Sequence, residues 1–338
     1  MIRMPRSGGR REMSEAQSLL LTHWHSPGDI VCMTAAVRDL ATTYPGRFRI
    51  FVGTASSELW SFNPHIAGVC KGEMPASTRI IRLDIKTPLE QANENPLHVL
   101  TAFHRELSRE LGVPLSLRHP HGDLHLAKEE KGCRLIRDRY WYFVAGGKAD
   151  ISTKVWPPEH CQRLVELLTQ NGINVVQGGA NLPGHSHPVL KGVRSTVGKT
   201  SIRDVLRLIY HADGVICPVT FSMHVAAAFE KPCVVIAGGR EPWWWEAYLN
   251  SKDRHFGQEC SPVKVPHKFL HSQGRLHCCM TGGCWKTDLN LPLAGANDCL
   301  LPTTIRGALR PTCLTQISPE EVLSAVLSFN SNEPMKSA

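Results

Sequence analysis

The sequence has 338 residues, which exceeds the ~250 to 300 residues that one hydrophobic core usually supports and therefore favours two domains. Hydrophobic residues make up 42% and charged residues 20%, a globular composition that excludes a chain disordered throughout. The formal charge of +8 suits an anionic partner, although four arginines lie within the first 11 residues, and no apolar run reaches the ~18 residues of a membrane span.

The predicted elements begin after a basic leader. Residues 1–17 contain no apolar stretch and therefore lack the hydrophobic region of a secretory signal. We expect this leader to be disordered and the protein to be cytoplasmic. Without a secretion signal, the 12 cysteines argue against a disulfide framework and leave buried thiols, metal ligation or redox chemistry.

A strand, loop, helix and strand follow one another in the first half of the chain. Apolar periodicity predicts these elements at 18–22 (strand), 30–44 (helix), 49–53 (strand), 79–83 (strand) and 97–111 (helix). A βαβ unit places ligands at the carboxyl ends of its parallel strands, where Gly28 and Asp29 lie. An irregular stretch ends the predicted first domain, residues 18–138.

The second half repeats the alternation of strands and helices. Its elements are predicted at 140–145 (strand), 158–171 (helix), 174–177 (strand), 201–212 (helix), 214–217 (strand), 223–229 (helix) and 233–237 (strand). We expect an α/β fold with a second Rossmann-like domain at 139–275, a cysteine-rich segment at 276–317, and a helix and tail at 318–338. The alternative is one large doubly wound sheet.

Several segments keep their order and spacing over about residues 19–250. They are His25–Pro45 with its Gly-Asp pair, Lys154–Pro157 (K-V-W-P), Val197–Ile202 (V-G-K-T-S-I), the Ala-Asp pair at 212–213, Thr220–Ala228 and Ala237–Gly239. Together they resemble glycosyltransferase family nine, the ADP-heptose lipopolysaccharide heptosyltransferases. Gly238–Pro242, followed by Trp245–Tyr248 and the cysteine-rich tail, looks more like the autotransporter-heptosyltransferase branch, which carries a cysteine-ligated iron.

The resemblance implies a GT-B fold, in which two Rossmann-like domains face a cleft and the last helix crosses back to the first domain. It also implies inverting transfer from an ADP-heptose-like donor to a glycan or protein hydroxyl, as in lipopolysaccharide biosynthesis, without a catalytic metal. Val219 and Phe221 replace the Asp and Gly of the family's donor loop, and these departures leave the donor open.

Asp29 is the candidate catalytic base, because a carboxylate in the cleft can take the proton of the acceptor hydroxyl. The resemblance gives it the same role. The alternative is that Asp29 only caps the following helix. His25 and Gly28 belong to the same loop, and we assign them to the acceptor side.

The second domain supplies the predicted donor site, where basic side chains and a helix N-terminus stabilise a leaving diphosphate. Its residues are Thr153, Lys154, Thr220, Ser222, Met223, His224 and Arg240, with Lys148 as a weaker candidate. The alternative for His224 is a purely structural role, without contact to the donor. The tryptophans at 243–245 either stack on a base or sugar, or belong to the core or a subunit contact.

Five cysteines fall within residues 278–313, in loops rich in Gly and Pro. Tetrahedral sulfur ligation orders chain that has no core of its own, so we predict a structural iron or zinc on Cys279, Cys284, Cys299 and Cys313, with Cys278 as the alternate for Cys279. Reduced buried thiols are the alternative.

Three other functions remain open at this point. A nucleotide-sugar epimerase needs the same cleft but no acceptor. A metal-finger module would bind nucleic acid or protein, but the finger lacks a basic run with interleaved aromatics, so we expect no nucleic-acid partner. A degenerate transferase would act only as an oligomeric binding partner, and homo-oligomer formation is open in every case.

Overall fold

Two separate parallel sheets organise the protein, as seen in a computed structural model that describes residues 16–248, 265–289 and 295–330. The basic leader predicted at 1–17 lies almost wholly outside the described residues, and so does the tail after 330. Among the described residues, no helix combines the length and the hydropathy that a membrane crossing requires. The two sheets make the alternative of one doubly wound sheet wrong.

The first domain is built on a four-stranded parallel sheet in the order β3-β2-β1-β4. Its strands are β1 (Gln17–His23), β2 (Phe48–Thr54), β3 (Gly68–Val69) and β4 (Arg79–Arg82). Its helices are α1 (Pro27–Thr43), α2 (Lys86–Glu90), α3 (Val99–Leu111) and α4 (Lys128–Gly132). The central strand β1 is covered on both faces, which explains its continuous apolar run.

The second domain contains a six-stranded parallel sheet in the order β12-β11-β10-β5-β7-β9. These strands are β5 (Trp141–Val144), β7 (Val175–Gly178), β9 (Arg194–Ser195), β10 (Gly214–Pro218), β11 (Cys233–Gly238) and β12 (His267–His271). A small antiparallel pair joins β6 (Gly147–Lys148) to β8 (His185–Ser186). The helices of this domain up to the cysteine-rich segment are α5 (Pro158–Gln170), α6 (Ile202–His211), α7 (Phe221–Ala228) and α8 (Trp243–Glu246).

The cysteine-rich segment packs on the second sheet. It contains the hairpin β13 (Pro302–Ile305) and β14 (Ala308–Pro311), followed by α9 (Thr312–Thr315), which lies against β11. The last helix, α10 (Pro319–Asn330), packs on α5 and β11, and its buried Val322 and Val326 join the core of the second domain. The expectation that this helix crosses back to the first domain is therefore wrong: its apolar face is buried against its own sheet.

Candidate active site

Asp29 lies in the first turn of α1, directly after β1. The helix is capped by Ser26, whose hydroxyl accepts the N–H of Asp29 at 3.5 Å. The alternative that Asp29 serves only as the N-cap is therefore wrong, because Ser26 fills that position and leaves the carboxylate free to face the cleft. The side chain of Asp29 keeps 29% of its surface exposed.

His23, the last residue of β1, lies beside Asp29. Its Nε2 lies 3.7 Å from Asp29 Oδ2. Burial works to raise the pKa of Asp29, but the hydrogen bonding and charge of His23, together with the charge of His224, outweigh it and lower that pKa. Asp29 is consequently ionised at neutral pH, as a base must be.

Helix α7 of the second domain meets α1 of the first beside this loop. A Cβ placed on Gly28 would lie 3.0 Å from His224 Cδ2 and 3.6 Å from Phe221 Cα. The two domains are thus in contact at Gly28, and His224 lies near the predicted base. Phe221, which departs from the family pattern, is the first residue of α7 and packs at this contact.

His224 is 4% exposed, and polar groups lie near both of its ring nitrogens. Its Nδ1 and the Tyr248 hydroxyl share a hydrogen bond of 2.8 Å, and Cys32 Sγ lies 3.4 Å from the same nitrogen. Burial lowers the pKa of His224 to about 4, so the ring is neutral at pH 7. Its Nε2 is 3.3 Å from Glu246 Oε2.

Glu246 is a site residue that the sequence analysis missed. It is 8% exposed, and its Oε2 has no hydrogen-bond partner among the described residues. Burial, and after it the charge of Glu241, raises the pKa of Glu246 well above its usual range, which favours the protonated form of this carboxyl. The sequence signals were its place directly after three tryptophans and within the segment Trp245–Tyr248, and neither distinguishes a site residue from a residue at the edge of the core.

Glu241 is the second residue that was missed. Lys154 Nζ lies 2.5 Å from Glu241 Oε1 and 3.5 Å from the carbonyl oxygen of Val219, and the Arg240 guanidinium pairs with the same carboxylate oxygen. Glu241 is 7% exposed. The buried carboxylate of Glu241 therefore brings together Lys154 and Arg240, the two predicted donor-site cations. It occupies the position between them to which an anion would be attracted.

The other predicted donor residues differ in their surroundings. Thr153 is buried, and its hydroxyl donates to the carbonyl of Lys286 at 2.6 Å, so it ties the 3₁₀ helix Ala149–Lys154 to the cysteine-rich segment. Thr220 is the N-cap of α7 and makes no side-chain capping bond. Ser222 and Met223 are buried in the first turn of α7.

The remaining predicted positions lie at the edges of this site. His25 and Lys148 are exposed. The tryptophan run is mainly structural: Trp245 is 2% exposed in the core, Trp243 stacks on a histidine ring, and the Trp244 indole donates to the carbonyl of Ala92 in the first domain at 2.6 Å.

The cysteine-rich segment brings its thiols to the back of the donor site. A small cavity is lined by Thr153, Gly239, Arg240, Cys278, Cys284, Cys299 and Cys313, among others, and a Cβ on Gly239 would lie 2.8 Å from Cys279 Sγ. Burial raises the pKa of Cys278 to about 11 and that of Cys313 to about 12. Within the described ranges, however, no three His, Cys, Asp or Glu side chains stand close enough together to hold a metal ion.

Several solved glycosyltransferase structures are similar to this chain. TibC, an iron-containing dodecameric glycosyltransferase from enterotoxigenic E. coli, has a TM-score of 0.62 at 15% identity, over 95% of this chain and 77% of that one. Its complex with ADP-D-beta-D-heptose gives 0.64 at 15% identity, over 94% and 76%. E. coli ADP-heptose lps heptosyltransferase II gives 0.58 at 16% identity, over 94% and 99%. These similarities show that the fold is GT-B.

The sequence profile of glycosyltransferase family 9 (heptosyltransferase) matches residues 77–268, more than half of the chain. No curated protein matches significantly. The protein belongs to glycosyltransferase family 9, which confirms the predicted family and the predicted class of enzyme. The nucleotide, the sugar and the acceptor are not fixed by family membership.

Proposed function

We propose that the protein transfers a heptose-like sugar from an ADP-sugar to a hydroxyl of a glycan or a protein, with inversion. The observation that carries this proposal is the position of Asp29: an ionised, partly exposed carboxylate in the first turn of α1, the helix that follows β1 and contacts α7 of the other domain. The choice of ADP-heptose is supported by family membership and by the ligand of TibC.

Asp29 acts as the general base. It accepts the proton of the acceptor hydroxyl while that oxygen forms a bond to the anomeric carbon. The bond from the anomeric carbon to the diphosphate oxygen breaks, and its electron pair leaves with the nucleotide diphosphate. Attack from the face opposite the leaving group inverts the configuration. His25 and Gly28 frame the acceptor side of this loop.

The leaving diphosphate is stabilised by the second domain. Lys154 and Arg240 already surround one carboxylate, that of Glu241, and we propose that the diphosphate competes with Glu241 for these two cations. The first turn of α7, with Thr220, Ser222 and Met223, adds backbone N–H groups aligned by the helix dipole. We also assign His224, at the end of the first turn of α7, to the donor side, without a proton-transfer role.

We also propose a structural iron or zinc on Cys279, Cys284, Cys299 and Cys313, with Cys278 as the alternate for Cys279. Support comes from four of the five thiols lining one cavity and from the iron of TibC. The described side chains would have to close further on one another to ligate an ion. These residues would hold the metal, and its role would be to fix the segment that supports Thr153 and Arg240.

Thermal unfolding in the presence of ADP-, UDP- and GDP-sugars tests the donor, because a ligand that binds the native state raises the melting temperature by mass action. We expect ADP-sugars alone to stabilise the protein. Mass analysis after incubation with the donor alone distinguishes an epimerase, which changes the sugar without an acceptor.

Light scattering measures self-association of the protein. Salt-dependent oligonucleotide binding would favour the nucleic-acid-binding module instead of the transferase.

A further inference from the structure

His23 is buried, and one of its two ring nitrogens is hydrogen-bonded to the backbone beside the sheet. It is 1% exposed, and its Nδ1 lies 2.9 Å from the carbonyl oxygen of Leu83. A carbonyl only accepts, so Nδ1 carries a proton and donates it. Leu83 is itself bonded through its N–H to the carbonyl of Thr22 at 3.0 Å, so the ring is held by the pairing of β1 with the chain that follows β4.

The other ring nitrogen, Nε2, has no hydrogen-bond partner among the described residues. It faces Asp29 Oδ2 at 3.7 Å. A neutral imidazole with its proton on Nδ1 offers only a lone pair at Nε2, and an ionised carboxylate offers only lone pairs as well. The two groups are complementary only when one proton lies between them, and leaving a buried nitrogen unbonded is costly.

The ring cannot turn to find another partner. The Phe103 ring packs edge-on against it with centroids 5.3 Å apart, and the His25 ring does the same at 5.1 Å. A movement of about 1 Å by the Asp29 side chain is enough to bring Oδ2 to hydrogen-bonding distance of Nε2. The geometry therefore provides a place for a single extra proton directly behind the candidate base.

We infer that His23 and Asp29 work as one base, in which Asp29 takes the proton of the acceptor hydroxyl and passes it to His23 Nε2. This inference rests on the proposed function and deepens it, because it makes His23 a positioning residue that acts through Asp29. The acceptor O–H bond breaks and its oxygen bonds to the anomeric carbon. The bond to the diphosphate breaks with its electron pair, and the proton ends on Nε2 as an imidazolium paired with the Asp29 carboxylate.

The advantage of the pair is basicity at neutral pH. An ordinary imidazole is more basic than an ordinary aspartate by about 2 to 3 pH units, so a proton that finishes on the ring is retained more firmly. The lowered pKa of Asp29 agrees with this order of protonation, since the carboxylate stays ionised after the ring has accepted the proton. The exposed part of Asp29 then returns the proton to solvent between turnovers.

The groups that face the pair are few. His224 approaches from α7, Glu246 from α8, Cys32 from α1 and His25 from the loop before α1, and Ser26 caps the helix. His224 is neutral above a pKa of about 4, and burial raises the pKa of Glu246 well above its usual range, which favours its protonated form on the acidic side.

The test compares the pH dependence of kcat/KM in the wild type and in His23→Asn, whose amide can still donate to the carbonyl of Leu83 but cannot accept a proton. We expect the plateau to fall by about 10²-fold, in the range of general-base effects, and the acidic limb to move to lower pH by at least about one unit, because the carboxylate alone then sets it. A lowered plateau with an unmoved limb would show a merely structural role and overturn the inference.

A matched control is His104→Asn. His104 forms a second buried histidine–aspartate pair in the same domain, with Nε2 2.8 Å from Asp39 Oδ2, away from the cleft. This variant is expected to lower thermal stability without moving the acidic limb. If both variants move the limb, the shift reflects a general loosening of the domain, and the inference fails.

A readout that needs no turnover separates this inference from the proposed function. In protein labelled with ¹⁵N-histidine, the His23 Nε2 signal is followed against pH in the wild type and in Asp29→Asn. We expect Nε2 to lose its proton at a lower pH in the variant, because the carboxylate partner is gone. An unchanged midpoint would disprove the pair even if transfer is observed, whereas the expected shift without any transfer would disprove only the function.

Discussion

His224 of the second domain lies against Gly28 of the first, so closely that a Cβ at position 28 would stand 3.0 Å from its ring. This contact joins α7, which begins the proposed donor site, to the turn that carries Asp29. The position of Asp29 relative to the proposed donor site therefore depends on the absence of a side chain at Gly28.

Gly28→Ala should move α7 away from α1 and misplace Asp29 relative to the donor. We expect kcat/KM to fall by at least about 10-fold and the free energy of unfolding to fall by about 1 to 3 kcal/mol, as for an overpacked contact. Steady-state kinetics and thermal unfolding measure both. Gly68→Ala is the control, since its nearest contact would be 3.9 Å away, and equal effects in both variants would contradict this account.

Asp29→Asn removes the base but keeps the shape of the side chain. Turnover should fall by about 10² to 10⁴-fold, while the stabilisation by ADP-sugar stays within error of the wild type, because the donor residues lie in the other domain. Asp84→Asn, at an exposed turn, serves as the control. Retained turnover in Asp29→Asn would remove this residue from the mechanism.

The free energy of unfolding of Glu246→Gln, relative to that of the wild type, should increase as pH rises. Burial first, and then the charge of Glu241, raises the pKa of Glu246, so the folded state holds its proton more firmly than the unfolded state does. This stability is fully present below the unfolded pKa and is lost as pH rises through the folded one. Glutamine mimics the protonated acid and avoids that loss.

Melting temperatures of Glu246→Gln and the wild type, measured from pH 5 to pH 9, check the sign of this effect. The difference should shift in favour of the variant with increasing pH. Glu90→Gln, at an exposed position, should show no such trend. A difference independent of pH would mean that Glu246 is ionised in the folded protein.

Glu241→Gln should lower stability without ligand and increase the stabilisation by ADP. Lys154 and Arg240 lose their shared carboxylate, and breaking such a buried pair costs about 3 kcal/mol. A diphosphate restores the missing negative charge. We expect a larger rise in melting temperature on adding ADP than in the wild type, and a smaller rise would argue against phosphate binding at these cations. Glu320→Gln, an exposed partner of Arg163, is the control.

Metal analysis tests the cysteine site. We expect about one equivalent of iron or zinc per chain, lost in a double variant of Cys299 and Cys313 to Ser, together with a lower melting temperature. Cys70→Ser, outside the segment, should retain the metal. Less than a tenth of an equivalent in the wild type would leave these residues as reduced thiols. Metal content in the single variants of Cys278 and Cys279 decides which of the two is a ligand.

Local elements were predictable because their causes are local. Three signals lie next to one another in the chain: the apolar run of β1, the segment with Ser26 and Gly28, and the helical periodicity of α1. The strand, the helix cap and the helix can therefore be predicted from the sequence in that order. The strand β12 and the hairpin β13–β14 were not predicted, because their short segments lack a distinctive period.

The sequence by itself determined the alternation of strands and helices, the family, and the placement of Asp29 at the end of a strand. Only the tertiary structure decided that Glu241 lies between Lys154 and Arg240, that Glu246 faces His224, and that α10 packs on its own domain. The reason is physical: periodicity records which face of an element is buried, whereas charge state and partnership depend on groups that are distant along the chain and meet only after the sheets have formed.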